Sequence, residues 1–192
     1  MRQATVTRTT AETSVRLLLN LDGGDIAINT GIGFFDHMLI ALAKHAGWGL
    51  TLETRGDLQV DSHHTVEDTG IVLGQALREA VGDKAGIHRY ASCHIPMDEA
   101  LAFACVDVGG RSYLSFDAKF PEQRVGELDS ATIVEFMRAL ALNANITLHL
   151  RLLAGANTHH MIEALFKALA HAFRIALAVE GNDVLSTKGS LD

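Results

Sequence analysis

The chain has 192 residues, 48% of them hydrophobic, enough for one or two small domains with a real core. A formal net charge of −7 speaks against a general nucleic-acid binder, which needs surplus Lys and Arg to neutralise phosphates. No uncharged apolar run is long enough to span a bilayer, and two cysteines, Cys93 and Cys105, are too few for a disulfide framework. A reduced, cytoplasmic protein is therefore expected.

The N-terminus alternates instead of opening with a basic segment and an apolar block, so no signal peptide is expected. Thr5, Thr7 and Thr9 are polar against Val6, a strand pattern. "SVRLLLNLD", Gly23-Gly24 and "DIAINTG" predict a hairpin with a glycine turn. "FFDHMLIALAKHAG" (34–47) has apolar residues at 35, 38, 39, 42 and 46, a helical stripe that Gly47 is placed to end. "WGLTLETRGDLQ" returns as a strand. "HHTVEDTGIVLGQALREAVGD" predicts a helix with Ser62 as its cap and acids in its first turn. Residues 86–120 read as strands broken at Pro96 and at Gly109-Gly110. "SATIVEFMRALALNAN" predicts a helix, "ITLHLRLLAG" a strand and "THHMIEALFKALAHAFRIALAVEG" a long final helix, leaving "STKGSLD" as a loose tail.

The order is strands, helix, strand, helix, and then the same again. "FFDHMLIAL" aligns with "TIVEFMRAL", and "DSHHTVED" with "NTHHMIEA", so Glu135 stands where His37 stands in the first copy. This predicts an α+β fold made by duplication of about 97 residues, each half a β-β-β-α-β-α unit with its helices on one face of its sheet. Neither half can bury both faces of a sheet alone, so the halves should pack together. The expected organisation is one catalytic unit, 1–192, of two repeats, about 1–85 and 86–185, with a tail at 186–192.

Five of the ten histidines fall in "FFDHML", "DSHHTVED" and "NTHHMIEA". On a helix, residues i and i+4 share a face while i+1 points about 100° away. His63 and Glu67 can therefore chelate one metal while His64 turns toward another. His159, Glu163 and His160 repeat that logic. The economical arrangement is two metals, each chelated by one helix and completed by the off-axis histidine of the other, with His37 and Glu135 supplying further ligands. A mixed imidazole and carboxylate set excludes a structural Cys-type zinc site and suits Mn, Fe, Co or Zn. No Gly-x-Ser-x-Gly, Walker or Gly-x-Gly-x-x-Gly motif is present, and no His-Glu-x-x-His.

Arg89 and Arg111 sit at strand or turn edges, Lys167 lies one turn beyond Glu163, and Lys188 is in "STKG". Such cations, with a Ser/Thr- and Gly-containing loop, would hold a phosphate. A small phosphorylated substrate over two metals is the expectation. Its rivals are a dinuclear metallohydrolase acting on a small phosphorylated substrate, and a non-enzymatic metal store or sensor.

"TGIGFFDHML", "DSHHTVEDTG", "PMDEALA", "DVGGRSYL", "TLHL", "NTHHMIEALFKA" and "STKG" together resemble the imidazoleglycerol-phosphate dehydratase family of histidine biosynthesis, from about Glu12 to Leu191. The resemblance implies a ribosomal-protein-S5-domain-2-like fold and a lyase that removes water from imidazole glycerol phosphate to give imidazole acetol phosphate. It also implies two Mn²⁺ per active site, and a homo-oligomer of 24 subunits with sites between them. One metal would take His37, His64, His159 and Glu163, and the other His63, Glu67, Glu135 and His160. Arg89, Arg111, Lys167, Ser186 and Lys188 would hold the phosphate, and Glu12 would face the substrate as the proton-handling residue. Two departures stand out: "DSHH" replaces "DDHH", and some members carry His where Glu135 stands, with His149 the alternative ligand.

Overall fold

The computed structural model describes residues 2–189 and 191; Ser190 and Asp192 of the predicted loose tail lie outside them. The first half runs β1 (Gln3–Thr9), β2 (Thr13–Asn20), β3 (Ile26–Asn29), α1 (Gly33–Ala46), β4 (Gly49–Gly56) and α2 (His63–Val81). The second repeats it as β5 (Tyr90–Met97), β6 (Ala100–Asp107), β7 (Tyr113–Asp117), α3 (Thr132–Ala144), β10 (Thr147–Ala154) and α4 (Thr158–Ala176). A small ribbon, β8 (Arg124–Val125) and β9 (Leu128–Asp129), precedes α3. The sheets have matching orders, β1-β2-β4-β3 and β5-β6-β10-β7, each with its last strand parallel to its neighbour.

Period-two patterning explains why one face of each sheet is wet. Val15, Leu17 and Leu19 of β2 are fully buried while Ser14, Arg16 and Leu18 face out. On β6 the inward positions are Ala100, Ala102, Ala104 and Val106, small enough for α4 to lie close. The helices then pair across the halves, α1 with α4 and α2 with α3. Phe136 of α3 joins them, meeting Phe35 of α1 edge-on at 5.3 Å and stacking on Phe166 of α4 at 5.5 Å. Gly70 and Gly74 let α2 approach α3, since a Cβ at Gly74 would sit 2.7 Å from Asn143 Cβ and 2.8 Å from the Leu140 carbonyl oxygen.

Six local expectations are corrected. Gly23-Gly24 does not turn a hairpin: β4, carrying Leu50 and Leu52, takes the place beside β2, and β3 pairs with β4 in parallel. The first hairpin is β1–β2 instead. Pro96 does not break its strand; β5 is an edge strand, where a residue without an N–H costs no ladder bond. Ser62 does not cap α2: Asp61 accepts the His63 amide at 2.7 Å, while the Ser62 hydroxyl oxygen accepts from the Asp129 amide. The first turn of α2 holds no acid, because Glu67 and Asp68 fall in the second. The final helix ends at Ala176, where the next residues pair with the segment before β5: Arg89 N–H donates to the Ala176 carbonyl and His88 N–H to that of Ala178. The described part of the tail is tied down, with Leu191 buried and its carbonyl accepting Lys84 Nζ at 2.8 Å. Among the described residues no helix is long and apolar enough to cross a membrane.

Candidate active site

Each histidine pair occupies the first turn of a helix whose start is held by side chains. The Asn157 side-chain Oδ1 accepts the amides of His159 and His160 at 2.9 and 3.3 Å, capping α4 as Asp61 caps α2. At the start of α1, Asp36 accepts the Thr30 amide and hydroxyl at 2.8 and 2.6 Å, which fixes the turn that delivers His37.

The cross-pairing of α1 with α4 brings His37, His159 and Glu163 together. Glu163 Oε2 lies 3.3 Å from His159 Nε2 and 3.8 Å from His37 Nε2. Among the described residues this is the one group of three or more candidate ligands whose donor atoms all lie within 4.8 Å of one another. The donors face a shared gap instead of bonding each other, and two imidazoles with a carboxylate are a competent set for Mn²⁺. Glu163 is buried, which raises its carboxyl, but the Lys167 ammonium at 2.7 Å, with His37 and His159, holds it below the usual range.

In the first half, His63 Nε2 and Glu67 Oε2 lie 3.6 Å apart, one turn along α2. Glu135 does not join a cluster of three; it is ion-paired with Arg138 on its own helix. His149 is exposed on β10, beside Tyr113 at 5.7 Å, while its strand neighbours Leu148 and Leu150 are buried.

The off-axis histidines are each held by a carboxylate that sequence reasoning missed. His64 Nδ1 sits 3.0 and 3.1 Å from the Asp57 oxygens, and this hydrogen bond raises its pKa despite partial burial. His160 Nδ1 sits 2.8 Å from Glu99 Oε2 and is raised likewise. Glu99 is pulled down to about 2 by that bond and by the amides of Asn157 and Ala156 at 2.8 and 3.1 Å. Glu99 lies within the quoted "PMDEALA", but nothing in its spacing points to His160. Glu12, in the β1–β2 turn, has Oε1 3.8 Å from His64 Nε2.

Arg89, Arg111, Ser186 and Lys188 line one cleft of about 690 Å³. Arg89 anchors it, with bonds to both Asp107 oxygens at 2.8 and 3.2 Å and to the Leu185 carbonyl at 2.6 Å. Arg111 and Lys188 form no ion pair among the described residues. Lys167 is not in this cleft; it stays with Glu163. The cleft lies at the C-terminal end of α4 and the His37–His159–Glu163 group at its N-terminal end, about 25 Å apart at 1.5 Å per residue.

Residues 30–173 match the family model for imidazoleglycerol-phosphate dehydratase. The chain belongs to that family. An imidazoleglycerol-phosphate dehydratase of Lacticaseibacillus casei is 55% identical over 192 residues, covering 98% of this chain and 99% of the relative. That of Ruminiclostridium cellulolyticum is 51% identical, with both chains covered in full. The crystal structure of imidazoleglycerol-phosphate dehydratase from Staphylococcus aureus superposes with a TM-score of 0.85 at 43% identity, covering 92% of this chain and 99% of that one. The Pyrococcus furiosus enzyme in complex with (S)-C348 also gives 0.85, at 35% identity and 97% and 100% coverage. The chain is thus a dehydratase, a lyase of histidine biosynthesis, and not the metallohydrolase or the metal store weighed above.

Proposed function

We propose that this dehydratase converts imidazole glycerol phosphate to imidazole acetol phosphate and water at a site holding two Mn²⁺, assembled between copies of the chain. The observation that carries the reading is the convergence of His37, His159 and Glu163, contributed by both halves. His64 would complete that ion's ligands, and His63, Glu67, Glu135 and His160 would hold the second. Two metals bound there would supply positive charge that stabilises the substrate's ring as imidazolate, whose electron pair can then expel the hydroxyl.

The remaining roles belong to side chains. Arg111, Lys188 and Ser186, with Arg89 shaping the cleft, would hold the phosphate, and Lys167 would approach it from the metal end. Glu12, whose Oε1 lies 3.8 Å from His64 Nε2, would take the proton from the carbon next to the one losing its hydroxyl, giving an enol that becomes the ketone. The separation of the cleft from the His37 group along α4, together with the absence of His64 and His160 from that group among the described residues, supports sites completed by neighbouring subunits. A shell of 24 subunits fits that need.

The chain would act as one catalytic unit of two repeats, about 1–85 and 86–185, plus the tail 186–192, whose Ser186, Thr187, Lys188 and Leu191 line the cleft. Two free cysteines, Cys93 and Cys105, support a reduced, cytoplasmic setting. Elemental analysis of the purified protein tests the metal count. Two Mn²⁺ per chain is the expected result, and one or none contradicts it.

A further inference from the structure

His64 and His160 hold equivalent places in the two repeats, each the second histidine of its pair. Each has its Nδ1 within hydrogen-bond distance of a carboxylate: Asp57 at 3.0 Å and Glu99 at 2.8 Å. A carboxylate can only accept, so the ring hydrogen of a neutral imidazole sits on Nδ1, and Nε2 keeps its lone pair. The two carboxylates do not come from equivalent places. Asp57 directly follows β4, and the matching position before His160 is Leu153, which has no acid to offer. Glu99 directly precedes β6, and the matching residue before β2 is Glu12. The duplicated scaffold therefore offers the same acid twice and uses it differently. Glu99 is committed to His160 Nδ1 and to the amides of Ala156 and Asn157. Glu12 lies on the other side of its histidine, 3.8 Å from His64 Nε2, and its side chain is 54% exposed.

We infer that Asp57 and Glu99 are positioning residues that hold His64 and His160 as metal ligands through Nε2, and that Asp57, by serving His64, leaves Glu12 free to face the substrate. Neither acid touches the ion or the substrate; each acts through its histidine. Outer carboxylates of this kind fix the ring's orientation and raise its basicity, and losing one weakens metal binding about 10- to 100-fold.

The inference rests on the two-metal reading, and one experiment separates the two. Mn²⁺ is titrated into metal-free wild type, Asp57→Asn, Asp57→Ala, Glu99→Gln and Glu99→Ala, with the affinity of each ion and the metal-free melting temperature measured. Asn and Gln keep an acceptor oxygen, so the Glu99→Gln variant can still support the start of α4. The expected result is roughly 10-fold weaker binding of one of the two ions in the amide variants and about 100-fold in the alanine variants, with metal-free melting unchanged in the amide pair. Affinities within twofold of wild type for both ions would overturn the inference while leaving the metal centre intact. Weaker binding accompanied by an equal loss of metal-free stability in both amide variants would overturn it too, as a purely structural effect. A wild type that takes up no Mn²⁺ would instead sink the metal reading itself.

Discussion

His37 of α1 and His159 of α4 face each other across the two halves with ring centroids 6.0 Å apart, and both turn Nε2 toward the Glu163 carboxylate. That shared carboxylate makes the three a candidate metal-binding group. Glu163→Gln keeps its shape but removes its charge and leaves the largely buried Lys167 ammonium without its ion pair. The variant should lose one bound Mn²⁺ per chain and on the order of 10²-fold in turnover. Turnover and metal count at wild-type levels would remove Glu163 from the ligand set.

Glu12→Gln should cut turnover by about 10²-fold or more with metal content unchanged, if Glu12 moves the substrate proton. The turn that carries it is anchored from α2: the buried Asp68 accepts Arg8 Nη1 at 2.5 Å and also the Thr13 hydroxyl. Thr13→Val keeps the β-branched shape and deletes only that hydroxyl, leaving Asp68 one donor short. It should cost about 1–3 kcal/mol of stability by chemical denaturation.

Where α2 meets α3 the backbone spacing leaves no room for a side chain at Gly74. Gly74→Ala would gain helix propensity of about 1 kcal/mol, yet the helices must part to admit the methyl group. The clash with backbone should win, for a net destabilisation of roughly 1–3 kcal/mol in denaturant unfolding. A stabilised variant would contradict so close an approach of α2 to α3.

Asp22 is held below its ordinary pKa by its hydrogen bond from Arg2, which lies 2.6 Å away and also donates to the Leu177 carbonyl. A depressed carboxyl contributes stability that is present above the unfolded value near 3.8 and lost as the pH falls through the folded value. Asp22→Asn should therefore melt slightly below wild type at neutral pH, the effect being small because the pair is half-exposed. The two melting curves should converge as the pH falls through the folded-state value and the Asp22 carboxyl is protonated.

The repeat, its element order and the His–Glu pairs were legible because they rest on local periodicity: 3.6 residues per turn sets His63 beside Glu67 and His159 beside Glu163. The pairing of β4 with β2 was not legible, since nothing local to Gly23-Gly24 reports that a later strand takes the adjacent place. Asp57 and Glu99 escaped for the same reason: a residue that orients a histidine is found by proximity in space, and Glu99 reaches His160 from another strand turn. Cap chemistry was half visible. Both Asp61 and Ser62 suit a helix start, and only the backbone geometry decides that Asp61 takes the amide. The distance between the cleft of Arg89, Arg111 and Lys188 and the His37–His159–Glu163 group is likewise a property of the folded α4, invisible in a list of basic residues.

The most direct test of the account is turnover of imidazole glycerol phosphate by metal-stripped protein, with and without added Mn²⁺, the metal content of each sample being counted. Ketone product that appears only with Mn²⁺, alongside two ions per chain, is the predicted result. Protein that has reloaded two Mn²⁺ per chain and yields no product, or that turns over fully without metal, would contradict the two-metal site built on His37, His159 and Glu163.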